Sequence, residues 1–406
     1  MNRWLGILGI GEDGVDGLST EARTLLSGAG LVAGGSRHLA LAAELIHGET
    51  LAWPSPITAA LPGLIARRPR PTVVLASGDP FWFGIGTAIA RLLPASEYVC
   101  LPAPSSFSLA CASLGWSLQE VTTLSLCGRP LAALLPALQP GARLLVLCAD
   151  ATTPDAVAAL LRERGFGGSI LHLMQALGGP RAQVVSRRAD QALPEPVDPL
   201  NLLGIALVAD PDARVIPLAG GLDDALFEHD GQFTRREIRA LTLSALAPRQ
   251  GELLWDIGCG SGSVSIEWML RHPSNRAIAI EQDADRAARA ARNAHALGVP
   301  GLELRHGAAP AILHGLPVPD ALFIGGGATF PGVIDAARAA LRPGGRLVAN
   351  AVTIETEAVL LALQAAHGGS LLRIGLDRLD RVGSMHALRP AMRITQWSWT
   401  RSSRPQ

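Results

Sequence analysis

The sequence predicts an α/β protein of two domains: a first of two small α/β subdomains, then a second built on a parallel sheet. Three observations predict this. The chain has 406 residues, and at roughly 150 per domain that makes two domains or three. Hydrophobic residues make up 48% and charged residues 17%, with a mean hydropathy of +0.27, so a large core can be buried and wholesale disorder is excluded. Short apolar runs alternate with helical patterns, strictly so in the second half, which is the mark of a parallel sheet covered on both faces.

In the first half, strands are expected at residues 5–9, 73–76, 122–126, 144–147 and 202–208, joined by long Pro-rich loops. Pro194-Glu195-Pro196-Val197-Asp198-Pro199 is rigid and polar, and Pro217-Leu218-Ala219-Gly220-Gly221-Leu222-Asp223-Asp224 reads as a linker. The expected domains are therefore 1–212 and 225–406, with a linker at 213–224. In the second half a helix at 233–246 starts on Thr234 as N-cap, with Glu237 three residues on. Strands at 253–256, 277–281, 302–305, 321–324 and 346–351 alternate with helices at 264–271, 284–297, 332–341 and 355–366. Residues 371–379 and 392–399 read as a final antiparallel pair with a long connection.

Composition excludes several chemistries. There are 35 basic and 35 acidic residues, which leaves no global field for nucleic acid or an anionic membrane. All basic residues are Arg; without Lys there is no Schiff-base chemistry, P-loop or lysine base. Arg suits carboxylates through its planar fork. The five cysteines form no C-x-x-C pair and the ten histidines no H-x-H or H-E-x-x-H, so no metal site is expected and a reduced, cytoplasmic setting is. The apolar N-terminus meets Glu12-Asp13 too soon for a signal peptide, and no run reaches the roughly 18 apolar residues of a membrane span.

Asp256-Ile257-Gly258-Cys259-Gly260-Ser261-Gly262 ends a strand and opens a helix, the position where α/β sheets bind ligands. Glu281 closes the next strand, where an acid grips a ribose diol. The dinucleotide fingerprint G-x-G-x-x-G does not fit, because Ser263 follows the third glycine, and Asp256 would repel a pyrophosphate. A cationic ligand with a ribose fits: S-adenosylmethionine (SAM). The pattern resembles that of Rossmann-like SAM-dependent methyltransferases, which implies Asp256, Gly258, Gly260, Ser261, Gly262, Glu281 and Gln282 as SAM-binding residues. Cys259 reads as a small turn residue.

Further segments extend the likeness: Gly231-Gln232-Phe233-Thr234-Arg235-Arg236-Glu237, Pro319 to Gly327, Leu341-Arg342-Pro343-Gly344-Gly345-Arg346-Leu347-Val348 and Asn350-Ala351-Val352-Thr353. Together these make residues 225–400 similar to the precorrin methyltransferase/decarboxylases that act at carbon 15 in cobalamin biosynthesis. The resemblance implies that Phe233, Thr234, Ala308 and Gly325 lie at SAM. Gly307-Ala308-Ala309-Pro310 stands where the family has Gly-Asp-Ala-Pro, so backbone replaces an acid near the adenine. Arg235, Arg236, Arg378, Arg381 and Arg389 are candidates for substrate carboxylates, Asn350 for orienting substrate and His386 for donating a proton.

In the first half, Gly9-Ile10-Gly11-Glu12-Asp13-Gly14, Gly34-Gly35-Ser36-Arg37-His38-Leu39, Ala76-Ser77-Gly78-Asp79-Pro80, Pro102-Ala103-Pro104-Ser105-Ser106-Phe107 and Gly128-Arg129-Pro130 follow in order. Over residues 3–210 this resembles the tetrapyrrole methylases, closest to the branch acting at carbon 5. It implies a fold of two α/β subdomains and a second SAM site at Gly78, Asp79, Ser105 and Ser106. Gly9 to Gly14 lacks the family's proline and reads as part of a substrate trough. Fused in this order, the halves imply methylation of a reduced precorrin at carbons 5 and 15 with loss of carbon dioxide from the carbon 12 acetate. The partner implied is a polyanionic tetrapyrrole, with no nucleic acid and no membrane, and the families imply a homo-oligomer. The alternative is a single-activity SAM-dependent methyltransferase whose other half is a non-catalytic binding or assembly module.

Overall fold

The computed structural model describes residues 3–402, which form two compact units. The first comprises residues up to Leu131 with Ala137–Arg214, and the second comprises Ala132–Pro136 with the chain from Val215 onward.

The first unit carries two sheets. Strands β1 (Leu5–Ile10), β2 (Leu31–Gly34), β3 (Glu49–Ala52), β4 (Thr72–Ser77) and β5 (Tyr98–Leu101) form an all-parallel sheet in the order β3-β2-β4-β1-β5. Strand β1 alternates between two apolar layers, with Leu8 and Ile10 on one face and Leu5 and Ile7 on the other. That two-sided burial is why β1 and β4 read as continuous apolar runs. Strands β6 (Val121–Ser125), β7 (Arg143–Leu147), β8 (Ile170–Gln175), β9 (Gln183–Arg188) and β10 (Asn201–Ala206) form the second sheet, ordered β6-β7-β10-β8-β9 and antiparallel except for β6 and β7. Five of these ten strands are absent from the sequence reading. Strands β2, β3 and β5 are only four residues long, β9 is a mostly exposed polar edge, and β8 lies beside it.

The second unit is built on β11 (Leu253–Ile257), β12 (Arg276–Glu281), β13 (Glu303–His306), β14 (Ala321–Ile324), β15 (Arg346–Ala351), β16 (Ser370–Ile374) and β19 (Ile394–Thr400), in the order β13-β12-β11-β14-β15-β19-β16. The first five are mutually parallel and the last two antiparallel. Trp255, Ile278, Leu322, Leu347, Leu360 and Trp397 anchor one core layer. The Rossmann-like expectation is met, with three corrections. The helix starts at Arg236 with Arg235 as N-cap, so Thr234 is not the cap; its carbonyl instead accepts a bond from Arg239 at 2.6 Å. The expected linker belongs to this unit from Val215: Leu222 is buried, and the backbone N–H groups of Gly221 and Leu222 donate to Glu267 at 2.7 and 2.9 Å. The expected strand at 371–379 breaks after Ile374. Beyond it, β17 (Asp377–Val382) and β18 (Met385–Pro390) form a separate two-stranded hairpin, while Ile374 and Ile394 remain paired with each other across β16 and β19.

Candidate functional site

In the second unit the glycine loop leaves β11 beside β12 and β14, at the carboxyl edge of the sheet. Gly258 has φ +70°, and a Cβ there would stand 2.9 Å from the backbone of Gly326, so only glycine lets these two loops meet. A Cβ built on Gly260 would meet a single neighbour, the Gln232 carbonyl, at an ordinary contact distance of 3.6 Å. Gly262 (φ +76°) starts the helix Ser263–Leu270 and packs on Ala290. Ser261 is buried and its hydroxyl has no partner among the described residues.

Asp256 is buried at the end of β11. One carboxylate oxygen accepts from the Ser265 N–H at 3.2 Å and hydroxyl at 2.7 Å, which caps the first turn of the following helix. The other oxygen is buried without a partner among the described residues. Burial pushes this carboxyl up to about 6; the Ser265 bonds pull down and the nearby Glu281 charge pushes up again. Glu281 accepts three backbone N–H bonds, from Gly260 at 2.8 Å, Gln282 at 2.9 Å and Asp283 at 3.1 Å. It therefore braces the glycine loop. Gln282 is exposed; Gly307 donates to the Glu281 carbonyl at 2.9 Å and so places exposed Ala308 beside it. Gly325, exposed at the end of β14, donates to the Ile257 carbonyl at 3.0 Å.

Three residues that sequence reasoning passed over hold this arrangement. Asn293 is buried; its amide accepts from Glu228 N–H at 2.8 Å and donates to the carbonyls of Glu228 and Ser261, each at 2.9 Å, joining the segment before Phe233 to the glycine loop. Arg239 and Glu267 form a fully buried ion pair, and Arg239 also reaches the carbonyls of Thr234 and Leu222. Phe233 stacks on His229 at 4.1 Å, with the Arg235 and Arg239 guanidinium groups 5.0 and 5.7 Å from its ring. A mid-helix Asn and an Arg/Glu pair 28 residues apart give no local pattern to read.

The remaining candidates fall differently from expectation. Asn350 has both amide ends engaged, donating to Thr242 Oγ1 at 2.9 Å and accepting from Gln396 at 2.9 Å, so it is a strut rather than a free substrate ligand. Arg235 pairs with Asp224 at 3.5 Å. The run from Arg378 to Arg389 is not one clamp. Cross-strand pairing in the hairpin sets Arg378 opposite Arg389 on one face, and Arg381 opposite His386 on the other. Arg378 is paired with Glu237 at 2.5 Å and Arg389 with Asp380 at 3.0 Å. Arg381 and His386 are exposed, without side-chain partners among the described residues, beside Leu379 and Leu388, each 69% exposed.

In the first unit, three loops converge at the carboxyl edge of the parallel sheet. Gly78 (φ +53°) donates to Ile10 O at 3.2 Å and accepts from Ala103 N–H at 3.1 Å. A Cβ at Gly9 would fall 2.0 Å from the Gly78 carbonyl and 2.4 Å from the Ala103 nitrogen, so the end of β1 presses directly on the other two loops. Asp79 accepts from Phe81 N–H at 2.8 Å, closing its own turn. Ser105 is buried and caps the helix Ser106–Leu114 by accepting from Ser108 N–H at 3.1 Å; Ser106, half-buried, opens that helix. A cavity of about 600 Å³ beside the loop after β1 is lined by Glu12, Asp13, Asp16 and Glu44, of which Glu12 is ion-paired with Arg37 and Arg181. No cluster of metal-ligating side chains occurs among the described residues.

Each unit thus carries a cluster of glycine-bounded loops at the carboxyl edge of a parallel sheet, and known proteins divide in the same way. The family described as tetrapyrrole (corrin/porphyrin) methylases matches residues 5–192, and that described as the precorrin methyltransferase domain matches residues 225–401. A Sinorhizobium protein named precorrin-6Y C(5,15)-methyltransferase [decarboxylating] is 56% identical over 398 residues, spanning 98% of this chain and 96% of that one. The chain belongs to the family of decarboxylating precorrin-6Y C(5,15)-methyltransferases. A second precorrin-6Y C(5,15)-methyltransferase, from Mycobacterium tuberculosis, is 38% identical over 97% of this chain and 99% of its own. A Pyrobaculum calidifontis protein named probable cobalt-precorrin-6B C(15)-methyltransferase (decarboxylating) is 36% identical over 44% of this chain and 96% of its own length. Methyltransferases of these families imply SAM as the methyl donor. The second-unit loop fits it: an orphaned buried carboxylate oxygen suits a cationic ligand end, and the open side of Gly260 lets a ligand lie on backbone. None of the described helices is long and apolar enough to cross a membrane.

Proposed function

We propose that the chain converts precorrin-6Y to precorrin-8, the first unit methylating carbon 5, and the second methylating carbon 15 and releasing carbon dioxide from the carbon 12 acetate. Each unit has its own SAM site. The observation that carries this is the pair of glycine-bounded loop clusters, each at the carboxyl edge of a parallel sheet. The Pyrobaculum relative supports the partition, since 96% of its length matches 44% of this chain and its name gives carbon 15 and decarboxylation alone.

SAM supplies an already activated methyl group, so the protein's share is alignment and exclusion of water. In the second unit Glu281 would hold the ribose hydroxyls, the Gly260 backbone would support the ligand, and Asp256 would lend negative charge beneath its cationic end. Arg381 and His386, the uncommitted polar pair of the hairpin, would meet substrate carboxylates, with His386 able to return a proton to the carbon that loses carbon dioxide. In the first unit Gly78, Asp79, Ser105 and Ser106 would hold SAM through backbone. The substrate is a polyanion, the setting the cytoplasm, where five free thiols persist, and the assembly a homo-oligomer.

Calorimetric titration of the full chain with SAM tests the reading, alongside mass analysis of the product from reduced precorrin-6. Two sites per chain are expected, with a product that has gained two methyl groups and lost one carbon dioxide. One site, or one methyl group, makes one unit non-catalytic.

A further inference from the structure

In the first unit Arg37, Arg67, Arg68, Arg70 and Arg181 each face a carboxylate of the protein. Arg129 does not. It is exposed just beyond β6, in a turn where its N–H bonds to the Leu126 carbonyl at 3.1 Å. Among the described residues its guanidinium makes no hydrogen bond and no ion pair. It rests instead on an aromatic ring, with the guanidinium carbon over Phe83 and 5.1 Å from the ring centroid.

Phe83 is held in an uncommon conformation. Its φ is +57°, an outlier for a bulky residue, and the side chain stays 43% exposed. Local bonds impose the turn. Asp79 accepts from the Phe81 N–H at 2.8 Å through its side chain and from the Trp82 N–H at 3.1 Å through its carbonyl, and the Pro80 carbonyl accepts from the Gly86 N–H at 2.8 Å. Such strain persists only where neighbouring contacts over-determine it. Here those contacts are aromatic: the rings of Trp82 and Phe83 lie 5.6 and 5.9 Å from that of Phe107. Phe107 is buried in the helix Ser106–Leu114, directly after Ser106.

A guanidinium over a ring face is attracted by the negative quadrupole of the ring, which fixes its place without engaging an acceptor oxygen. Its N–H fork is left for a carboxylate, in the two-pronged geometry that Arg favours. Phe83 belongs to the turn begun by Gly78 and Asp79, and Phe107 to the helix opened by Ser106, so the cation is tied to both elements assigned above to SAM. We propose that Arg129 binds a carboxylate side chain of the tetrapyrrole in the first unit, and that Phe83 is the residue that positions it. This rests on the function proposed above. Anchoring one carboxylate beside the methyl donor selects which carbon of the macrocycle faces the methyl group. The methionine end of SAM carries a carboxylate too, and separate readouts for the two ligands tell them apart.

The test compares the full chain with its Arg129→Gln, Phe83→Leu and doubly substituted variants, using reduced precorrin-6 and SAM labelled with carbon-13 in its methyl group, so that methylation at carbon 5 is read by NMR. Arg129→Gln is expected to raise KM for the precorrin about tenfold or more, the scale of a lost charge-assisted hydrogen bond, with kcat and SAM affinity unchanged. Phe83→Leu is expected to raise KM by about two- to fivefold, the scale of a lost cation–π contact, and to add nothing in the Arg129→Gln background, because it acts through that cation. An unchanged KM in Arg129→Gln overturns the proposal. A loss of SAM affinity also overturns it, because the carboxylate would then be that of SAM, and so does a fall in kcat at constant KM. Additive effects in the double variant remove Phe83 from its role. A wild-type chain that adds no methyl group at carbon 5 overturns the functional reading itself, a result distinct from any of these.

Discussion

Asp256 and Glu281 each carry a structural duty within the protein. Both read as ligand acids, yet Asp256 commits one of its two oxygens to Ser265 and Glu281 accepts from three backbone N–H groups. The raised carboxyl of Asp256 gives a pH signature. A cationic ligand end favours the ionised form, so binding releases a proton wherever the free carboxyl is protonated. SAM affinity of the second unit should therefore fall as pH drops through about 6, and in Asp256→Asn this dependence should vanish. Calorimetry at a series of pH values reads it directly. The sign for stability runs the other way. The native carboxyl keeps its proton up to about 6 while the unfolded one, near 3.8, has lost it, so this group makes the fold less stable as pH rises through that window. Glu281→Gln should weaken SAM binding by about 1.5–3 kcal/mol, and less than Asp256→Ala, which also uncaps the helix Ser263–Leu270. The opposite ranking in titrations would show that Glu281, not Asp256, dominates the site.

Among the elements, the hairpin of β17 and β18 separates what was legible from what was not. The arginines between 378 and 389 were visible as a cluster, but a cluster in sequence is split by a strand's period of two. Only pairing revealed that Arg381 shares a face with His386 and that Arg378 and Arg389 are spent on carboxylates. Arg381→Gln should accordingly raise KM for the precorrin in the carbon 15 reaction and leave SAM affinity unchanged, whereas Arg389→Gln should do neither; steady-state kinetics with added salt should shrink the Arg381 effect. The glycine loop was legible because its residues adjoin in sequence and each glycine has a steric reason. The braces were not: Asn293, and the Arg239–Glu267 pair, act across 32 and 28 residues through contacts that leave no periodic trace. Arg239→Met should cost about 3–5 kcal/mol by stranding a buried carboxylate, and Arg239→Met with Glu267→Met should cost less. A thermal or denaturant double-mutant cycle measures the difference.

On the scale of the whole molecule, the two-domain plan followed from alternation and length, and the parallel sheets from their apolar runs. The boundary did not, because Pro217 to Asp224 has the composition of a linker but the contacts of a core segment. Its backbone supplies two donors to Glu267 and one acceptor to Arg239. A second half beginning at residue 215 should therefore be more stable than one beginning at 225, by about 2–4 kcal/mol for the lost bonds to a buried charge. Equal unfolding midpoints for the two pieces would show that the segment adds nothing.

Because Ile374 and Ile394 are cross-strand partners, the chain leaves the seven-stranded sheet and returns to it at a single place. Paired residues across an antiparallel ladder stand about 4.5–5.5 Å apart, a gap that a tight turn closes. Residues 375–393 are thus a cassette: they can be exchanged, lengthened or excised without altering the registration of any strand on either side. On the function proposed above, exchanging this one excursion changes which ring is held and leaves the glycine loop untouched, a graft open to protein engineers seeking methylation of a different substrate.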